Sequence, residues 1–369
     1  MPTSRARGLH EANSQNGLAW PQVRPMIRRI LLALDSDVST PERIELSARR
    51  AQERGYGGVS VPELAHDPFV LLALAARATD TIELASGVAI AFARSPMTLA
   101  MQAADLQRVS AGRFVLGLGS QVQAHVERRF SMPWGRPAAR MRDFVLAVRA
   151  IWDGFESGRL QYRGEFYSHT LLTPAFSPGR MPFGPPPVWI AGVGERMTEV
   201  AGEVGDAYVV HPFSSEEYLR EVALPALTRG AERAHRAAIA DVVASPLVAV
   251  GITQSDRARA ADAVRRRIAF YASTPAYRGV MELHGWGSVA DQLGSLARRG
   301  AWEAMADLID DEMLGTFAIV GDPEAAAATA TARFGSIAGH LSIGLPAETS
   351  EEASERFIRH LTSNMSLAS

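Results

Sequence analysis

Residues 82–121, IELASGVAIAFARSPMTLAMQAADLQRVSAGRFVLGLGSQ, decide how the chain folds. The stretch reads as an apolar β-rich run, a helix opened by Ser95 with Pro96 at its first position, and a second apolar run. Each run breaks into small residues at its carboxyl end: Ser86 and Gly87 in the first, Gly117, Gly119, Ser120 and Gln121 in the second. In parallel α/β sheets that end is where loop backbone is free to face a small molecule. The unit is therefore a strand–helix–strand piece of a barrel or open sheet with a ligand site at its carboxyl edge.

The same alternation extends in both directions. Strands are predicted at Ile30–Leu34, Gly58–Val61, Ile82–Ile90, Phe114–Leu118, Val188–Ala191, Asp206–Val210, Pro246–Val250 and His340–Gly344. Helices are predicted over Thr40–Arg54, Asp67–Thr79, Ser95–Val109, Ala138–Phe155, Gly194–Val204, Ser215–His235, Ser255–Tyr271 and Ser350–Leu361. Almost every strand is continuously apolar, as expected where both faces of a parallel strand are covered. Eight such units favour a (β/α)8 TIM barrel over an open doubly wound sheet, in one domain spanning 26–369. Residues 1–25 are polar and aperiodic and read as a flexible tail with no secretory h-region, so a cytoplasmic protein is expected.

Two long interruptions, about 160–187 and about 274–315, are read as insertions at the carboxyl face, with a lid or a structural role equally open. The first holds YRGEFYSH, a hairpin signal; the aromatic residues of the two, Phe166, Tyr167, Phe176, Phe183 and Trp286, suit an apolar or ring-bearing molecule.

Composition removes several chemistries. A formal net charge of −2 with interspersed signs offers no basic face to nucleic acid, and no apolar run approaches the length of a membrane span. With no Cys there is no thiol nucleophile or iron–sulfur cluster, and with no Lys there is no Schiff-base catalysis and no Walker A loop. HExxH, other spaced metal clusters and a GxSxG elbow are also absent, so no metal site is expected.

The residues left for chemistry lie at strand ends. VPELAHDPF brings Glu63 and His66 to the end of the second strand, where a carboxylate and an imidazole can exchange protons near neutrality, while Asp67-Pro68 also makes a good helix start. WIAGVGERM sets Ala191, Gly192, Val193 and Gly194 between a strand and a helix, a turn suited to a phosphate. The third glycine of a dinucleotide fingerprint is Met197, so a single phosphate site or a purely structural turn are the open readings. His211 closes the sixth strand.

Together ELAHDPF, IELASGVAIAFARSP, AGRFVLGLGSQVQAHVERRFSMPWGRP, AGVGERMTEVAGEVGD and VHPF resemble the luciferase-like (bacterial luciferase) superfamily, and most closely its coenzyme F420-dependent oxidoreductase branch. The likeness runs from about residue 55 to the carboxyl terminus in unchanged order. It implies a barrel, commonly homodimeric, that carries a deazaflavin or flavin at its carboxyl face, with a non-prolyl cis peptide at or next to Gly87-Val88. It also implies phosphate contacts from Ala191 to Gly194, ring contacts from Glu63, Ser86, Ser120, Gln121 and His211, and an anionic tail near Arg94 or Arg128. In several F420 relatives a His follows the acid of the second strand; here Leu64 stands there, and His66 is the substitute. The implied activity is hydride transfer between F420 and an activated C=C, C=N or C=O of a small organic substrate, with His66 or Glu63 supplying the proton. An FMN-dependent two-component monooxygenase and a non-catalytic flavin-binding barrel are the alternatives.

Overall fold

Eight parallel strands close on themselves in the computed structural model, which describes residues 27–34 and 40–366; the tail expected at 1–25 lies outside the described residues. The strands are β1 Arg29–Ala33, β2 Gly58–Val61, β3 Glu83–Ser86, β4 Phe114–Gly119, β5 Val188–Gly192, β6 Ala207–Val210, β7 Asp241–Ala244 and β8 His340–Ile343. Closure comes from the pairing of β8 with β1, Ile30 opposite Leu341. Outer helices follow: α1 Pro41–Glu53, α2 Pro68–Ala78, α3 Pro96–Val109, α4 Pro137–Ser157, α5 Glu195–Val204, α6 Leu224–Arg233, α7 Pro323–Phe334 and α8 Glu351–Ser366.

The strands are apolar throughout because they bury two faces. Leu31, Ala85, Val115, Trp189, Ala207 and Val243 form a small cluster inside the barrel, and a second, much larger cluster lies between strands and helices. Four helices start with the same device, a side-chain cap followed by proline: Thr40-Pro41, Asp67-Pro68, Ser95-Pro96 and Asp322-Pro323. The cap oxygen takes an orphan N–H, and proline fills a position whose N–H would have none to serve.

Three expectations change. The run Ile82–Ile90 is not one strand: β3 stops at Ser86, the Gly87-Val88 peptide is cis, and Ala89–Ile90 resumes pairing with Leu118 and Gly119 of β4. The seventh barrel strand is Asp241–Ala244, where Val243 faces Val209 of β6 and His340 of β8. The expected strand Pro246–Val250 instead contributes Leu247–Val250 to a separate two-stranded parallel sheet with Ala318–Gly321. Pro246, with no N–H to give, breaks the ladder between two equally apolar runs. Helix Gln254–Ala272 accordingly packs on that small sheet, and α7, not foreseen, is the outer helix that packs on α8.

The long segments differ in place. Residues 160–187 leave the end of α4 and return at the start of β5, so both ends lie at the amino-terminal face, whereas the segment from β7 to α7 begins and ends at the carboxyl face. The expected hairpin is present as Tyr162–Arg163 paired with Ser168–His169, and it docks on α4. Asp143 of α4 is buried and accepts from Phe166 N at 2.6 Å, from Tyr167 N at 3.0 Å and from the Tyr162 hydroxyl. Arg140 Nε donates to the Tyr167 hydroxyl at 2.8 Å.

Candidate active site

Small residues shape the carboxyl mouth of the barrel. A side chain at Gly117 would place Cβ 1.9 Å from Ser86 O, at Gly119 2.8 Å from Val88 Cγ2, and at Gly87 2.5 Å from Ser60 Oγ. A Cβ at any of these three positions would run into neighbouring protein atoms, so the glycines are required by the packing of the Gly87-Val88 turn and β4 against their neighbours. Ser86 itself is buried and turned into that packing: its hydroxyl donates to Gly117 O at 2.8 Å and accepts from Gly117 N at 2.9 Å. It joins β3 to β4, and its side chain does not face the mouth.

Glu63 and Arg94, expected at the ring and at the anionic tail, lie together. Arg94 Nη1 donates to Glu63 Oε2 at 2.6 Å and Nη2 to Asp67 Oδ2 at 2.8 Å, with its guanidinium 5.3 Å over the Phe69 ring. Ile90 N also donates to Glu63 Oε2, at 2.7 Å. The buried Glu63 carboxylate thus binds the residues after the cis peptide to the loop after β2, and its charge is answered on the spot. Asp67 caps α2 with its other oxygen, accepting from Phe69 N at 2.8 Å.

His66 lies exposed on the same loop and makes no hydrogen bond to any described residue. Arg128 is likewise exposed, at the end of the short helix Gln123–Arg128 that follows β4. Ser120 and Gln121 are half-buried at the end of β4; Gln121 has φ +59, and its Oε1 accepts from Val122 N at 2.9 Å. The Ser120 hydroxyl donates to Gln121 O at 3.1 Å.

The turn from Ala191 to Gly194 is half-buried at the end of β5. Its two glycines have different causes. Gly192 lies under Met197, whose Cγ would be 2.5 Å from an added Cβ, and its carbonyl accepts from the Tyr208 hydroxyl at 3.0 Å. Gly194 has φ +79 and open space where a Cβ would stand, directly before the first turn of α5. Packing therefore explains the first glycine, and backbone conformation together with an open approach to the helix start explains the second.

His211 is the most defined polar group at the mouth. Ala207 and Val209 of β6 point into the barrel, so by alternation His211 does too. Its Nδ1 accepts from Phe213 N at 3.1 Å, which leaves the proton of the neutral ring on Nε2. Burial pushes its pKa from 6.5 down to about 4, so the ring is neutral at physiological pH. Nε2 makes no hydrogen bond to any described residue. The ring is stacked on Tyr277 with centroids 4.3 Å apart and meets the edge of Tyr271 at 4.8 Å. Neither tyrosine was singled out from the sequence. Only their place at and just beyond the end of a long helix, in YASTPAYRG, could have drawn attention to them. Trp286 of the same segment stacks on His284 at 4.9 Å and packs against Phe317, whereas Phe176 and Phe183 are exposed.

The mouth thus has small residues packed tightly on the β3–β4 side, a neutral hydrogen-bond donor after β6, and the buried Glu63 carboxylate in an ion pair. No group of residues with metal-ligand geometry occurs among the described residues, nor does any helix long and apolar enough to cross a membrane.

Comparison with known proteins agrees with this architecture. A family model described as luciferase-like monooxygenase matches residues 29–338. An uncharacterized protein of Mycobacterium tuberculosis is 49% identical over 293 residues, covering 78% of this chain and 86% of that one. The 5,10-methylenetetrahydromethanopterin reductase of Archaeoglobus fulgidus is 29% identical over 263 residues, covering 69% and 74%. Among solved structures, the coenzyme F420-dependent tetrahydromethanopterin reductase of Methanopyrus kandleri superposes with a TM-score of 0.75 at 18% identity, over 91% of this chain and 99% of that one.

Proposed function

The chain belongs to the luciferase-like monooxygenase family, and from that premise we propose that it is a coenzyme F420-dependent oxidoreductase acting on an activated C=C, C=N or C=O of a small organic molecule. The observation that carries this reading lies at the carboxyl ends of the strands: the Gly194 turn, open and at positive φ directly before α5, where an anionic group can meet the helix start, and the neutral Nε2–H donor of His211 after β6. The reductases among its relatives point the same way.

The residues present fit the cofactor. Gly87, Val88 and Gly119 would back the ring, Ser120 and Gln121 would meet its edge, and the backbone from Ala191 to Gly194 would take the phosphate at the start of α5. Arg128, exposed and outside any ion pair among the described residues, would meet the anionic tail; Arg94 is committed to Glu63 and Asp67. When bound, F420 supplies a hydride at C5, a carbon where a flavin has nitrogen, and so favours hydride transfer over oxygen chemistry.

The protein's own part is positioning and proton supply. His211 is too acidic in its protonated form to be an imidazolium near pH 7, and giving up its remaining Nε2 proton would leave an anion, so it acts as a fixed hydrogen-bond donor. Glu63, held by Arg94 and Ile90 N, keeps the cis-peptide loop in place. His66, open to water on the β2 loop, delivers the proton to the reduced substrate.

Fluorescence titration with F420 and with FMN tests the cofactor. F420 is expected to bind at least about tenfold more tightly, a difference of about 1.4 kcal/mol. Tighter FMN binding would turn the assignment to an FMN-dependent monooxygenase fed by a separate reductase. With F420 bound, His66→Ala is expected to lower kcat about 100-fold, within the range for a lost general acid; unchanged turnover across a panel of carbonyl, imine and enone substrates would remove His66 from the reaction.

A further inference from the structure

The rings that cover His211 do not come from its own strand or loop. Tyr271 is the next-to-last residue of helix Gln254–Ala272, and Tyr277 ends the turn Pro275–Tyr277, so both are delivered by the long segment between β7 and α7. Tyr277 lies nearly parallel to the imidazole, at 27°, while Tyr271 stands edge-on at 79°. Both phenols are pushed up by burial, Tyr277 to about 12, so each keeps its proton at physiological pH. Among the described residues the titratable groups against His211 are these two phenols; Arg267, a turn before Tyr271, is the charge that acts on the Tyr271 phenol. No carboxylate or guanidinium among the described residues is hydrogen-bonded or ion-paired to the imidazole.

Two supports therefore hold the ring. The Phe213 N–H fixes which nitrogen faces the mouth, and the stacked tyrosine fixes the ring plane and keeps water from one of its faces. The second support is the one that the segment contributes. Tyr277 is half-buried at the edge of the main core, and its hydroxyl is hydrogen-bonded to no described residue.

We propose that Tyr277 is a positioning residue for the reacting site: from the β7–α7 segment it covers one face of the His211 ring and holds its Nε2–H donor toward the barrel mouth. The proposal deepens the functional reading above, since it gives that segment a task in the reaction. It rests on that reading only for what the donor serves.

The test reads the imidazole directly and needs no cofactor. Long-range proton–nitrogen spectra of [15N]histidine-labelled protein are recorded between about pH 4 and 8, with the His211 signals assigned by their loss in His211→Asn. Wild type is expected to show a single Nε2–H tautomer, and Tyr277→Phe, which keeps the stacked ring, the same spectrum. Tyr277→Ala is expected to titrate at least about one unit higher, toward the solvated value, with mixed tautomers. If Tyr277→Ala does not fold, Tyr277→Leu, which retains an apolar cover but no stacked ring, is read in its place, with mixed tautomers as the expected change. A titration and tautomer in the non-aromatic variant identical to wild type would overturn the proposal, as would a wild-type His211 that titrates near 6.5. Failure of F420 to bind would sink the cofactor reading and leave this result standing, so the two can fail separately.

Discussion

Gly117 shows at the scale of one residue how the wall of the mouth is made. Its missing Cβ would lie 1.9 Å from Ser86 O, and its own N–H and C=O are both taken by the Ser86 hydroxyl. Gly117→Ala is expected to cost on the order of 3 kcal/mol, because the clash is with backbone that cannot rotate away; chemical denaturation measures it, and a loss below about 1 kcal/mol would mean that β3 and β4 can separate cheaply. His211 makes a second prediction, about pH. Its folded pKa of about 4 is below the unfolded 6.5, so between those values the unfolded chain binds the extra proton and stability falls as pH falls. That loss amounts to roughly 3 kcal/mol at 1.36 kcal/mol per unit. His211→Asn, which retains an acceptor for Phe213 N–H, is expected to flatten this part of the stability profile, and an unchanged slope would show that the group does not titrate as described. Glu63, Ser120, Gln121 and His211 stand out in the sequence as polar groups at strand ends, and Arg94 enters through the family resemblance. That Arg94 spends itself on Glu63, 31 residues away, is not visible there, since the pair exists only once two loops meet.

Among elements, caps were the most legible feature. The pairs Thr40-Pro41, Asp67-Pro68 and Ser95-Pro96 mark helix starts by local chemistry alone, and Asp322-Pro323 carries the same signal before α7, a helix that strand counting passed over. Strand seven was not legible, because DVVA and LVAV are equally apolar and only pairing with β8 chooses between them. The hairpin of the 160–187 segment depends on one side chain. Asp143 accepts from two backbone N–H groups, and Gly164 approaches so closely that a Cβ would meet Asp143 Oδ1 at 1.8 Å. Asp143→Ala leaves those donors without a partner at a cost of roughly 2–4 kcal/mol. The measurable outcome is faster proteolytic nicking between residues 160 and 187; nicking at the wild-type rate would show that Arg140 and the ring contacts hold the hairpin unaided.

The whole molecule divides into a closed barrel and the segment from β7 to α7, which carries its own two-stranded sheet with helix Gln254–Ala272 laid on it. A unit with its own sheet and few ladder bonds to the barrel is expected to open as a unit. Hydrogen exchange should therefore show the amides of residues 247–250 and 318–321 exchanging together and faster than those of β1 to β6. Protection equal to the barrel strands would mean one cooperative body. The apolar strands, the capped helices and the glycine-rich strand ends follow from the order of residues alone, because periodicity, cap chemistry and proline geometry act over a few positions. Strand register, the exchange of DVVA for LVAV in the barrel, the pairing of Glu63 with Arg94 and the stacking of Tyr277 on His211 were decided only when the barrel closed, because each depends on partners tens of residues away whose meeting is set by the pairing of strands and the packing of loops.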